Sequence, residues 1–158
     1  MKLTLDVYRE IRVRLAALGW FSDWEWSQSV RPPETPEDFA REYTYVVVNS
    51  GMKATVARKI FDRLWPRLLA GKPIFPVFMH GPKVRSIELI WRDRAQYFDE
   101  MRRRFTDFDI LLAWCESLPW IGEVTKYHLA NNLGADVAKP DRWLVRLGEG
   151  ENTTVDEL

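Results

Sequence analysis

The 158-residue chain is 46% hydrophobic and 29% charged, the balance of one soluble globular domain with a proper core. Its 23 basic and 23 acidic residues cancel, so any nucleic-acid contact must rest on a local basic face rather than on bulk charge. One cysteine, Cys115, and two distant histidines, His80 and His128, exclude a disulfide framework, a four-cysteine iron–sulfur cluster and a cysteine-rich zinc site, and no metal site is expected.

Met1 to Arg14 alternates charged and apolar residues. It lacks the long apolar run of a signal peptide or membrane span, so the default compartment is cytoplasmic. Leu5, Val7, Tyr8, Ile11 and Leu15 to Leu18 then predict a first helix that Gly19 can end. Residues 20–34, with Trp20, Trp24 and Trp26, read as an aromatic loop closed by two prolines. Thr35-Pro36-Glu37-Asp38 is a strong helix start, a capping threonine followed by proline and by carboxylates at the positive helix end. Phe39, Tyr43, Val46, Val47 and Ser50 share one face of the helix it opens. The β-branched run Tyr43 to Val48 also suits a strand, but the cap and the 3.6-residue period favour helix.

After the break at Asn49-Ser50-Gly51, a helix from about Ala54 puts Val56, Ile60, Leu64 and Leu68 in register. Residues 71–83, with three prolines and two glycines, read as a connection. A long helix follows, with Val84, Ile87, Ile90, Trp91, Tyr97, Phe98, Met101 and Phe105 inward. Thr106 is then placed to cap a short helix burying Phe108, Leu111, Leu112 and Cys115. No internal repeat is visible, and the expectation is a single all-α domain over residues 1–158.

Leu118-Pro119-Trp120-Ile121-Gly122 is a short link between two helices. Pro119 stops the first, and Gly122 leaves room for close backbone approach as the second begins. Amides near Gly122 to Val124, at the positive end of the second helix, suit a phosphate oxygen. Such contacts position DNA without reading its sequence. Lys126, Lys139, Arg142 and Arg146 form a candidate basic face around this link, while Arg102 to Arg104 read as solvated helix surface.

Residues 118–141 resemble the hairpin and catalytic loop of the helix–hairpin–helix DNA glycosylase superfamily. Members carry a Leu-Pro-Gly-(Val/Ile)-Gly hairpin, an amphipathic helix and an aspartate roughly twenty residues after the hairpin. Leu118, Pro119, Ile121, Gly122 and Thr125 match, and Asp141 falls at the catalytic position. Val46 to Met52 is similar to a second family helix end, whose following residues enter the duplex; Asn49, Met52 or Lys53 would be the plug. The match covers about thirty residues closely, with a compatible helix order before them. The resemblance implies DNA as partner, no organic cofactor, at most a monovalent cation at the hairpin backbone, and a phage or bacterial origin.

There are departures. Trp120 stands where the first hairpin glycine is usual, which makes the loop bulkier and would press its indole toward the DNA backbone or the core. Bifunctional members carry a Schiff-base lysine at the position of Val124, and Lys126 lies on a different face, so a lysine-dependent lyase is not expected. The sequence stops at Leu158, where relatives continue with further helices. That would make it a minimal member, a truncation, or half of an assembly, either a homo-oligomer or one completed by a partner subunit.

Cleaving a base–sugar bond builds positive charge on the sugar, which a carboxylate stabilises while orienting water. Asp141 would supply that carboxylate, although a helix N-cap is its ordinary role after Pro140. Trp143 or the aromatics at 20–26 would stack on the flipped base. Three functions follow as expectations. The first is a monofunctional DNA glycosylase. The second resembles phage-encoded members that join an amino acid or amine to pyrophosphorylated hydroxymethyluracil in DNA, with Asp141 as base and Lys139 or Arg142 on the pyrophosphate. The third is a non-catalytic DNA-binding module.

Overall fold

The computed structural model describes residues 4–19, 22, 25 and 28–137. Among these residues the chain is helical with no strand, and it divides into two compact units. The first unit comprises residues 1–31 and 138–158, the second Pro32–Val137.

In the first unit, α1 spans Leu5–Ala17. The Thr4 hydroxyl accepts from the Val7 amide, and Gly19 follows the helix at φ +78°, a left-handed turn that glycine adopts without penalty. No α1 residue is buried. Residues 20–34 do not form a continuous loop, because Ser22, Glu25, Gln28 and Ser29 have helical backbone. No proline or glycine interrupts residues 20–31, and the first breaker is Pro32.

The second unit is organised around α2, Pro36–Asn49, which packs against four other helices. Its start is a complete capping box. The Thr35 hydroxyl accepts from the Asp38 amide at 3.1 Å, and the Asp38 carboxylate accepts from the Thr35 amide at 3.1 Å. The strand-like valines resolve as helix, and Phe39, Tyr43, Val46, Val47 and Val48 are all fully buried. A helix surrounded on several sides can bury β-branched residues on more than one face, so period alone could not identify it.

Helix α3, Ala54–Leu69, buries Ala57, Phe61, Leu64 and Leu68. The expected register through Val56 and Ile60 is therefore offset, with Val56 about half exposed and Phe61 inside. Phe61 stacks on Trp65 and meets Tyr45 edge-on, and this aromatic packing sets the face. Helix α4, Gly81–Arg92, begins inside the expected connection, for Pro82 occupies the first turn and the His80 ring accepts from the Lys83 amide. Proline is tolerated there because its missing amide would have no helical partner.

The long helix expected from residue 84 is two helices, α4 and α5 (Arg94–Arg104), broken at Asp93 (φ −103°, ψ 20°). Asp93 forms a two-point ion pair with Arg92, at 2.8 and 2.6 Å, and aspartate disfavours helix interiors. Helix α6, Phe108–Ser117, is capped by Asp107, whose carboxylate accepts from the Asp109 and Ile110 amides; Thr106 is not the cap. It buries Leu111, Trp114 and Cys115 and leaves Phe108 partly exposed. Trp114 is held by an indole hydrogen bond to Glu100 at 3.0 Å. Helix α7, Thr125–Asn132, packs on α6 and α2 and ends in Gly134 at φ +90°. Burial pushes the Cys115 thiol up to about 12, which leaves it an inert core residue.

Two substitutions test the α3 face. Phe61→Ala should cost about 3–5 kcal/mol, as for a large buried aromatic, whereas Val56→Ala should stay within about 0.5 kcal/mol. Equilibrium denaturation of the two variants measures both.

Candidate nucleic-acid interface

The link between α6 and α7 is a tight hairpin. Leu118 caps α6 with its amide on the Cys115 carbonyl, and the Ile121 amide returns to the Leu118 carbonyl at 3.1 Å. Trp120 between them sits at φ +63°, the only non-glycine residue at positive φ among the described residues. For an L-residue that conformation costs about 1–2 kcal/mol, and glycine adopts it freely. The link therefore has glycine geometry at position 120 and keeps it with an indole.

Contacts to three other segments hold it there. The Tyr43 hydroxyl, buried on α2, donates to the Pro119 carbonyl. Burial pushes the Tyr43 phenol above its ordinary range, so it remains a donor. The Trp120 indole donates to the Ser50 hydroxyl at 3.3 Å and meets the His80 ring edge-on at 5.1 Å. The Lys83 ammonium lies 5.9 Å from the indole centroid and donates to the Ser50 carbonyl at the end of α2. Leu118 and Ile121 anchor the link in the core, while Trp120 is 44% exposed.

The start of α7 differs from the expectation. The helix begins at Thr125, and residues 122–124 form a turn before it. The Gly122 amide donates to the Thr125 hydroxyl at 2.7 Å, and that hydroxyl donates to the Gly122 carbonyl at 3.2 Å. The Lys126 amide also closes on the Gly122 carbonyl, at 2.9 Å. Thr125 thus holds the turn and Gly122 has its amide occupied. The Glu123 and Val124 amides have no hydrogen-bond partner among the described residues. A Cβ built at Gly122 would meet nothing within 4 Å, so this backbone faces open space. Val124 is itself about half exposed.

Lys126 is not a free cation. Its ammonium pairs with Glu116 of α6 at 2.7 Å, which raises its pKa and clips the two hairpin helices together. Sequence spacing could not show this pair, because it needs the two helices side by side. Of the expected plug residues, Met52 packs partly against the core, Lys53 is exposed at the start of α3, and the Asn49 amide oxygen is buried with no partner among the described residues. Asp141, Lys139, Arg142, Arg146 and Trp143 lie outside the described residues, as do Trp20, Trp24 and Trp26. In the sequence His80 is an uninformative histidine in a proline-rich connection and Lys83 carries no motif, yet both sit beside the hairpin. The one available signal was proximity of a lysine to a His-Gly-Pro helix start.

At the other end of α7, Asn132 donates to the Glu42 carboxylate at 3.1 Å, and Arg41 pairs with Glu42 at 3.2 Å. His128 meets Tyr45 edge-on, and the Arg58 guanidinium lies 5.0 Å from the Tyr45 ring. Burial raises the Glu42 pKa in spite of these partners. Among the described residues no group of three or more His, Cys, Asp or Glu is placed to hold a metal, and no helix is long and apolar enough to cross a membrane. No family model, curated protein or solved structure gives a significant match to the chain.

Removing the Tyr43 hydroxyl leaves the Pro119 carbonyl without its donor, so Tyr43→Phe should lose about 1–3 kcal/mol by denaturation. Glu42 gives a pH signature. Its raised folded pKa contributes stability that is complete below the ordinary carboxylate range and lost as pH rises through the folded value. Melts from acid to neutral pH should show wild type losing ground to Glu42→Gln as pH increases, and parallel curves would disprove the coupling.

Proposed function

We propose that the chain grips the DNA backbone with residues 118–125 and acts on a base of that DNA. One observation carries this reading: the Pro119–Val124 backbone has glycine geometry at Trp120, open space at Gly122 and, among the described residues, no partner for the Glu123 and Val124 amides. Amides at the start of a helix attract phosphate through the helix dipole and through unused N–H donors. An open glycine lets a phosphate approach the backbone without meeting a side chain. The arrangement needs no excess of positive charge, in keeping with a formal net charge of zero.

The chemical step rests on the resemblance of residues 118–141 to helix–hairpin–helix DNA glycosylases. In this reading Asp141 is the carboxylate that stabilises an oxocarbenium-like sugar and orients water as the N-glycosidic bond breaks. Flipping the base out of the stack costs a few kcal/mol, which the phosphate grip helps to offset. Val124, at the lysine position of bifunctional members, favours hydrolysis without a lysine-dependent lyase step.

Gly122→Val separates grip from fold. With nothing within 4 Å of the added Cβ, the variant should melt close to wild type while its duplex affinity falls at least about tenfold, or about 1.4 kcal/mol. Unchanged affinity would sink the hairpin reading. For the reaction, duplexes carrying uracil, alkylated purines, oxidised guanine or mismatched thymine are incubated with the protein and cleaved at abasic sites with alkali. Strand breaks that vanish in Asp141→Asn, with binding retained, are the expected result. Intact strands on every duplex would overturn hydrolysis. Pyrophosphate release from hypermodified DNA in the presence of amines would instead assign group transfer.

A further inference from the structure

Lys83 is only 4% exposed and sits in the first turn of α4. Burial of a lysine without a carboxylate is costly, and among the described residues Lys83 has no acidic partner. Its ammonium has three donors, of which one is used, on the Ser50 carbonyl. The remaining surroundings are aromatic, with the Phe78 centroid at 5.8 Å and the Trp120 centroid at 5.9 Å. At those distances the rings give a weak attraction that does not replace hydration.

Trp120 is as poorly placed as the lysine near it. Its backbone is left-handed, its ring is substantially exposed, and its single hydrogen bond, to Ser50, is long at 3.3 Å. Two unfavourable features, a desolvated cation and a left-handed tryptophan, therefore meet at one spot on the hairpin. Polar groups held this way in a native fold point to a ligand-bound state in which they are better satisfied. Burial also lowers the Lys83 pKa, a cost that an anion would relieve.

We infer that Lys83 is a reserve phosphate ligand covered by the Trp120 indole, and that a DNA phosphodiester seated on the hairpin displaces the indole and takes the ammonium as a second contact. The inference rests on the DNA-backbone reading of residues 118–125 and adds to it a cation from α4. Swinging out the indole breaks the Ser50 hydrogen bond, the His80 edge contact and the weak cation–ring contact with Lys83. The Lys83 ammonium then exchanges the Ser50 carbonyl for the phosphate. Four interactions at the α2 end and the hairpin would thereby be exchanged for a charge-assisted one.

Salt dependence distinguishes a phosphate ligand from a structural cap. Each neutralised phosphate on duplex DNA contributes about 0.9 to the slope of log affinity against log salt concentration. Lys83→Met should lower the wild-type slope by about one such unit, and Lys83→Arg should restore it. If Lys83 only caps α2, Lys83→Met shifts stability while the two slopes stay parallel, and the inference is overturned. Should Lys83→Met fail to fold, Lys83→Gln makes the same comparison.

Acetylation of the free protein, read by peptide mass spectrometry, tests the cover. In wild type, Lys83 should react more slowly than exposed Lys53 and Lys72. In Trp120→Gly, whose backbone suits φ +63°, Lys83 should become several-fold more reactive. Equal Lys83 reactivity in the two proteins would mean that the indole is not the cover. Failure of the inference is distinguishable from failure of the DNA reading. Wild-type binding with unchanged slopes removes Lys83 alone, whereas absence of salt-dependent wild-type binding removes both.

Discussion

Helix α2 sits in the middle of the second unit, and side chains close both of its polar ends. Its sides are closed by Phe39, Tyr43 and three consecutive valines, all fully buried. A helix end in such a place leaves amides and carbonyls that each cost free energy when unpaired. Thr35 and Asp38 close the first end from within the helix itself. The second end has no basic residue in its own last turn and is closed from α4 by the buried Lys83 ammonium on the Ser50 carbonyl. The cation also opposes the negative pole of the α2 dipole.

The hairpin inherits its position from that arrangement. Tyr43 projects from the buried face of α2 and holds the Pro119 carbonyl, while Ser50 and Lys83 hold the Trp120 ring. The same helix therefore fixes the core and the candidate interface, and the left-handed Trp120 conformation is supported by contacts on both its sides. Glu116 and Lys126 add a clip between α6 and α7 that keeps the two hairpin helices in register. What remains open toward solvent is a short stretch of backbone, from Gly122 to Val124, rather than a row of cations.

The legible parts of the sequence were those with a local cause. Thr35-Pro36-Glu37-Asp38 announces a helix start through residues four apart or fewer, and the capping box is present. The all-helical class followed from periodicity, and every described element agrees with it. Local rules failed where neighbouring residues compete for one role and where two segments cooperate. Asp93 splits a helix that apolar spacing would run through, because its carboxylate prefers Arg92 to a helical environment. Asp107 takes the cap that Thr106 also suited. The α3 face follows Phe61 because Trp65 and Tyr45 stack and abut on it from two helices.

The sequence by itself determined that the chain is helical, where α2 and α3 begin, and that residues 118–122 turn between two helices. Those facts depend on caps, breakers and period, which act over a few residues. It also named Gly122 and Thr125 as hairpin residues, and both hold the turn. Only the tertiary structure decided that Trp120 adopts glycine geometry, that Lys126 is bound to Glu116, and that Lys83 lies buried beside the hairpin. Each of these depends on segments far apart in the chain meeting at one place. A side chain's charge is readable from its identity, but its partner and its solvation are properties of the packed molecule.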